Sequence, residues 1–297
     1  MKKQKFTVMD SMIYFIYTLF ALVCLYPFYY IFINTISDNS LVARGEVMWY
    51  PVGLHLSNYV QVLQIKGLFH ATFISVARTV IGTVIALISA SFMGYAFTKQ
   101  EYWGRKFWYR FTIATMYFSA GIIPWYLTMK TLGLTNNFLG YVLPSMVGPF
   151  NLVLAKTYIE SIPSSLEESA EIDGAGYFTR YMRIVLPLAK PILATVAIFA
   201  AVGQWNSFMD TVYLMTKEEF YTLQFLLYQY LNEANAITQI MKQTASGSAS
   251  MNNMINQLTP ASVRFTITMV TVLPVLLVYP FFQKYFVKGI MIGAVKG

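Results

Sequence analysis

Charge is scarce in this chain: only 11% of its 297 residues are Asp, Glu, Lys or Arg, while 57% are apolar. A soluble domain carries roughly 25% charged residues, so the deficit excludes an ordinary soluble globule and points to a membrane protein. Cysteine is nearly absent as well. Cys24 stands alone inside an apolar run, so no intrachain disulfide can form and the residue reads as packing. With two histidines and that single thiol, the donors for a zinc site are too few, and no Ser/His/Asp grouping converges on one face of a membrane. The phosphate-binding pattern Gly-x-x-x-x-Gly-Lys-Ser/Thr is missing, so the chain has no recognisable means of holding ATP. None of the 13 acidic residues falls in the middle of an apolar run, and His55 and His70 fall outside the runs or near their outer ends. Proton-coupled carriers usually hold an ionisable group at depth, which disfavours a self-powered proton carrier; backbone sites for sodium stay open. The net charge of +8 is spread over short loops rather than gathered in a basic stripe, so nucleic acid is not an expected partner and anionic membrane lipid is.

What is abundant is apolar length. Runs of about 20 predominantly apolar residues, the length that spans a bilayer, fall near 11–34, 70–98, 107–129, 138–159, 186–209 and 264–286, which predicts an all-α membrane protein of six transmembrane helices. The first run is about twice the length of a signal-peptide core and has no small-residue cleavage site, so with Lys2, Lys3 and Lys5 before it, it reads as an uncleaved start-transfer helix. Lys99, Arg105, Lys106, Arg110, Lys156, Arg180, Arg183, Lys190, Lys284, Lys288 and Lys296 then gather on the same side as the N-terminus. The positive-inside rule puts both termini in the cytoplasm of a multi-pass plasma-membrane protein.

Two outside segments follow from that arrangement. One, Ser37 to Phe69, is turn-rich ("SDNS", "YPVG", "SNY"); the other, 210–263, holds "EEFYTLQFLLYQYLNEANAI", where Phe220, Leu223, Leu227 and Tyr230 recur near helical spacing and predict an interfacial or docking helix. "TASGSAS" reads as a flexible tip. With no internal repeat, 1–297 reads as one transmembrane domain. Within it, "LPSMVGPFN" sets Pro144, Gly148, Pro149 and Asn151 at the centre of the fourth run; an interrupted helix lines a pathway where freed backbone groups need partners, and a plain proline kink is the alternative. Ala86, Ala90 and Gly94 form a small-residue stripe that permits a close helix crossing.

Between the fourth and fifth runs lies a polar island, "IPSSLEESAEIDGAGYFTRYMRIVLP" from Ile162 to Pro187. Pro163 suits a first helical turn, with Ser161 or Ile162 near the cap, and Glu167, Glu168 and Glu171 then occupy early turns favoured by the helix dipole. The helix should end near Ile172. Asp173, Gly174 and Ala175 make the break, Gly174 supplying a backbone conformation closed to other residues, and a second short helix covers Tyr177 to Val185 before Pro187. Glu167 and Glu171 sit four apart, a mildly repulsive pair that a basic partner surface would reverse. From physics alone a solvated loop remains an alternative.

The island resembles the cytoplasmic loop signature of ABC importer permeases, in which Glu-Ala-Ala is followed after three residues by Gly and, nine residues later, by Ile-x-Leu-Pro. Glu168, Ser169, Ala170, Gly174, Ile184, Leu186 and Pro187 stand at that spacing, with Ser169 replacing the first alanine. "FNLVLAKTYIESIP", "GQWNSFMD", "YTLQ" and the tail "YPFFQKYFVKGIMIGAVKG" are similar to the carbohydrate-uptake branch of that family, and "YFSAGIIPWYL" to its oligosaccharide and polysaccharide-fragment subgroup.

The resemblance implies a MetI-like fold, a second permease subunit forming a heterodimer with this one, two ATPase subunits that carry ATP and Mg, and an extracellular solute-binding protein that delivers an oligosaccharide. It implies that 163–185 is a coupling loop whose helix, with Leu166, Glu167, Glu168, Ala170, Glu171, Asp173, Gly174 and Ala175, docks on an ATPase. This chain would bind no cofactor and catalyse no reaction itself. The tail Lys288 to Gly297 either touches the ATPase pair or anchors on anionic lipid. Trp205 and Asn206, toward the outer leaflet, are candidates for sugar contact beside Asn151, Trp125 and Tyr126; interfacial anchoring is the competing reading for the first two. A secondary carrier that needs no ATPase, and a membrane scaffold or sensor that borrows the loop, are the rival functions.

Overall fold

The structure is a computed structural model that describes residues 7–244 and 261–294, with side chains placed for 7–233, 261–278 and 280. The Lys2, Lys3 and Lys5 cluster and the expected tip beyond Thr244 lie outside the described residues, as do the side chains of the tail from Lys288. Every regular element among the described residues is helical. Two compact units are formed: one gathers the chain up to Leu68 with Leu227–Leu273, the other Phe69–Leu226 with the chain from Pro274 on.

In the first unit, α1 (Val8–Thr35) is opened by a capping box in which Thr7 and Asp10 satisfy each other's backbone amides. The turn-rich segment behind it folds onto the end of α1. The Asp38 carboxylate accepts from the Ser40 amide at 2.9 Å and the Leu41 amide at 3.4 Å to start α2 (Asn39–Arg44). Its bond to the Ser40 side chain, with those amides, holds the Asp38 carboxyl below the usual carboxylate range. Asn58, in α3 (Ser57–Leu63), donates to the Thr35 carbonyl at 3.0 Å. Ile33, Val42 and Val47 form the small core of this unit, with Ala261 and Phe265 packed on it.

The second unit is built on α4 (Leu68–Ala96), an apolar helix without proline. The stripe of small residues does serve a close crossing. A Cβ at Gly94 would lie 3.1 Å from the Lys156 amide nitrogen and 3.4 Å from the Ala155 side chain, and Ala90, Ala155 and Val196 share one core. The third apolar run is not continuous: it divides into α5 (Arg105–Ala114) and α6 (Ile122–Thr131), each too short to cross a bilayer of ~30 Å at 1.5 Å per residue. Gly121, at φ 85°, sits at the start of α6, and a positive φ of that kind favours glycine.

The fourth run is interrupted where its prolines and glycine stand. After α7 (Leu139–Val142) a 3₁₀ turn spans Leu143–Ser145, Gly148 is extended, and α8 (Pro149–Glu160) restarts with Pro149 in its first turn. The polar island forms α9 (Ser165–Ile172) and α10 (Tyr177–Arg180), continued by a π-helical turn over Tyr181–Val185 and by α11 (Leu186–Leu188). The fifth run is α12 (Lys190–Asn206), bent by 79° from the Tyr177–Leu188 segment before it. Then come α13 (Met209–Leu214), α14 (Leu223–Thr244) and α15 (Ala261–Ala294). The helix expected from the spacing of Leu223, Leu227 and Tyr230 is thus α14, and Phe220 falls just before it, in a 3₁₀ turn.

Among the described residues, α1, α4 and the first part of α15 (Ala261–Val278) are long and apolar enough to cross a membrane, and the bent pair Tyr177–Leu188 and Lys190–Asn206 makes a fourth span if taken as one. The third and fourth apolar runs hold no single helix of that length because glycine and proline break them, whatever their composition.

Candidate functional site

Two places in the second unit bring polar side chains together, and α4 carries a part of each. At one end of α4 lies the acidic loop. Pro163 precedes α9 rather than entering its first turn, and Ser164 is the N-cap, without a side-chain capping bond; the expectation of a cap at Ser161 or Ile162 was two or three residues early because Ser161 and Ile162 close the end of α8 instead. The end of α9 matches its expectation. Gly174 has φ 81°, its amide donates to the Glu171 carbonyl at 2.9 Å, and the Ala175 amide donates to the Ala170 carbonyl at 2.9 Å. Those two bonds define the left-handed glycine termination of a helix.

The carboxylates of this helix divide into two sets. Glu167 turns inward: it pairs with Lys99 at 2.6 Å and accepts from the Tyr95 hydroxyl at 2.9 Å. Glu171 pairs with the buried Arg180 at 2.7 Å, and the Arg180 guanidinium lies 4.4 Å over the Tyr177 ring. The mild repulsion between Glu167 and Glu171 is therefore offset inside the chain, by Lys99 and Arg180. Glu168, Asp173 and Gly174 are exposed, as are Leu166 and Ile172, the latter 87% exposed; Ala170 and Ala175 are half-buried. Beneath α9 and α10 lies an aromatic bed, with the Tyr95 and Tyr181 rings 5.3 Å apart and the Tyr181 hydroxyl 2.7 Å from that of Ser91.

At the other part of α4 a buried arginine organises a cavity of about 450 Å³. Arg78 is 2% exposed and commits all five of its N–H groups. Nε and Nη2 donate to the Gln204 amide oxygen at 3.2 and 3.0 Å; Nη1 donates to the Ser207 carbonyl at 3.2 Å; Nη1 and Nη2 donate to the two Asp210 carboxylate oxygens at 3.1 and 2.5 Å. The guanidinium also stacks 4.3 Å over the Tyr141 ring. Gln204 extends the network, its amide nitrogen donating to the Ser145 hydroxyl at 2.6 Å. Gly82 makes room for it: a Cβ there would meet the Gln204 amide at 2.6 Å. Arg78 thereby ties α4 to the end of α12 and the start of α13, and Gln204 reaches the broken fourth run.

Of the sequence-derived pathway residues, Trp125 and Asn151 line this cavity, together with Pro144, Gly148 and Pro149 of the interrupted run. Trp205 is buried on the other side of α12, against a groove shared with Val76 and Pro274. Asn206 is exposed and accepts from the Gln224 amide at 3.3 Å, and Tyr126 packs on the Tyr141 core. Sequence reasoning missed the Arg78, Gln204 and Asp210 cluster. Its signal was available: one arginine inside the apolar run 70–98 and one aspartate just beyond "GQWNSFM", each needing a partner of opposite charge at depth.

Helices as every regular element among the described residues, an acidic helix ended by glycine at the family spacing and a polar cavity behind broken apolar runs together define a membrane transport component. The chain belongs to the family of binding-protein-dependent transport system inner membrane components, whose model matches residues 2–292, and it is a multi-pass membrane protein. It is 33% identical over 288 residues to the polygalacturonan/rhamnogalacturonan transport system permease protein YtcP of Bacillus subtilis (strain 168), covering 97% of this chain and 98% of that one. It is 34% identical over 271 residues to Protein LplC of the same organism, covering 91% and 89% of the two chains. Among solved structures it is similar to a chain of a bacterial ABC transporter involved in the import of the acidic polysaccharide alginate, with TM-score 0.80, 31% identity and coverage of 96% and 99%.

Proposed function

We propose that this chain is the transmembrane permease subunit of an ATP-driven ABC importer that takes up oligosaccharides or polysaccharide fragments delivered by an extracellular solute-binding protein. In this reading the chain crosses the membrane six times with both termini in the cytoplasm, pairs with a second permease subunit, and rests on two ATPase subunits that carry ATP and Mg. Residues 163–185 form the coupling loop on the cytoplasmic side and 210–263 an outer segment. The names of the relatives, YtcP and the alginate importer among them, support a sugar polymer fragment as substrate.

One observation carries the coupling role: α9 spends Glu167 and Glu171 on bracing itself to the rest of its own unit and leaves Glu168 and Asp173 outward beside exposed Leu166 and Ile172. A helix so braced moves as a body with α4, and its outward face has both charge and apolar surface to offer an ATPase. ATP must favour one arrangement of the spans over another by differential binding for this to drive transport. Sugar would pass along the cavity lined by Trp125 and Asn151, with Arg78 fixing its wall.

Glu168→Lys and Gly174→Pro test the reading. Proline cannot supply the amide that Gly174 donates to Glu171, nor adopt its φ. Each variant should insert normally yet abolish sugar uptake, and fail to retain the ATPase subunits on co-purification. Undiminished uptake with full ATPase retention in both variants would refute the coupling role.

A further inference from the structure

We propose that the outward face of α5 is a binding site for the headgroup of an anionic phospholipid. The sequence over Trp103 to Phe111, "WGRKFWYRF", lays two stripes on that face. Phe107 and Phe111, one turn apart on the helix, are 65% and 55% exposed, and Trp103, 83% exposed, stands just before the Gly104 cap of α5. Lys106 and Arg110, one position earlier in the same register, are exposed too, and neither makes an ion pair or hydrogen bond with another described residue. The opposite face is half-buried and packs within the chain. Tyr109 lies under the Lys156 ammonium at 4.5 Å and against the Phe97 ring, and Arg105 donates to the Thr98 carbonyl at 3.0 Å.

Charge complementarity selects the occupant. The helix itself contains no acidic residue, and its two free cations sit one turn apart, about 5–6 Å between Cβ atoms, a spacing that suits a single phosphodiester. Aromatic rings flanking them belong at the depth where headgroups meet acyl chains, the depth at which the third apolar run, beginning near Phe107, enters the membrane. A protein surface on this face would have to bring acceptors to Lys106 and Arg110, whereas anionic lipid supplies full counter-charge at that depth. The inference does not depend on the substrate or on the ATPase partners.

The test uses the intact transporter complex in nanodiscs containing brominated phosphatidylglycerol or brominated phosphatidylcholine, and reads quenching of the Trp103 signal, isolated as the difference between the wild type and Trp103→Phe. Phosphatidylglycerol should be preferred, and Lys106→Gln with Arg110→Gln should lower that preference by about 30-fold, at about 1 kcal/mol for each basic residue near an anionic surface. Added salt should erode the preference in the wild type and not in the double variant. Equal quenching by the two lipids, or a preference retained by the double variant, would overturn the site. So would the absence of Trp103 quenching by either lipid together with a cross-link from position 107 to another subunit, which would show protein covering the face.

Discussion

The two charge clusters touching α4 differ in what water can do for them. Arg78 is 2% exposed and its partner Asp210 15%, so that pair has little solvent to fall back on; in the acidic loop Arg180 is 5% exposed but its partner Glu171 is 61% exposed. The Lys99–Glu167 pair lies between, at 20% and 15%. A pair that has lost its hydration depends on every remaining hydrogen bond, which is why Arg78 commits all five donors and why Gly82 must leave room for Gln204. A half-hydrated pair tolerates loosening. The same chain therefore holds its cavity wall with a dry clamp and its acidic helix with two unequal braces, Lys99–Glu167 nearly as dry and Arg180–Glu171 half-hydrated.

Removing one member of the buried pair should have the largest effect. Arg78→Met leaves the Asp210 carboxylate unpaired and should cost about 3 kcal/mol, the low end for breaking a buried pair because Asp210 keeps some exposure. The drop in thermal unfolding temperature of the purified complex measures it, and Arg78→Met with Asp210→Leu should recover more than half of the loss. If the double substitution unfolds no later than the single one, the cluster is not a charge clamp.

A smaller effect separates the two braces of α9. Glu167→Gln should destabilise by about 1 kcal/mol and Glu171→Gln by less, since the Glu171 carboxylate keeps much of its hydration and glutamine can still accept from Arg180. In chemical denaturation the Glu171 effect should vanish in high salt while the Glu167 effect persists. Equal losses at both positions would erase the distinction drawn from exposure.

The smallest effect concerns the cap of α2. The Asp38 carboxyl is held below its ordinary range by its bonds to Ser40 and Leu41, so its contribution is present above the unfolded carboxylate value and is lost as pH falls through the lowered folded one. Hydrogen exchange at the Ser40 and Leu41 amides, corrected for intrinsic rate, should lose protection only in acid for the wild type and at every pH in Asp38→Ala.

Much of the acidic loop was legible because its chemistry is local. Spacing sufficed for the end of α9 at Gly174, the second helix from Tyr177 and the signature through Pro187. The braces were not legible, since Lys99 and Arg180 reach Glu167 and Glu171 only after the chain has folded. Hydropathy gave the ends of α1 and α4 to within three residues and α12 less closely, but a composition window cannot see that Gly121 and the Pro144 to Pro149 stretch divide a run into pieces. Asn151 and Trp125 were reachable from the broken fourth run and its neighbour; that Trp205 faces away from the cavity was not, because depth along α12 says nothing about which way a side chain points around it.

α4 meets Glu167 through Tyr95 and Asp210 through Arg78, and those two attachment points are separated by 17 residues of unbroken helix, roughly 25 Å at 1.5 Å per residue. Without a proline to flex at, the stretch between them is an uninterrupted strut, so under the proposed coupling a tug on one anchorage would register at the other as travel rather than as bending.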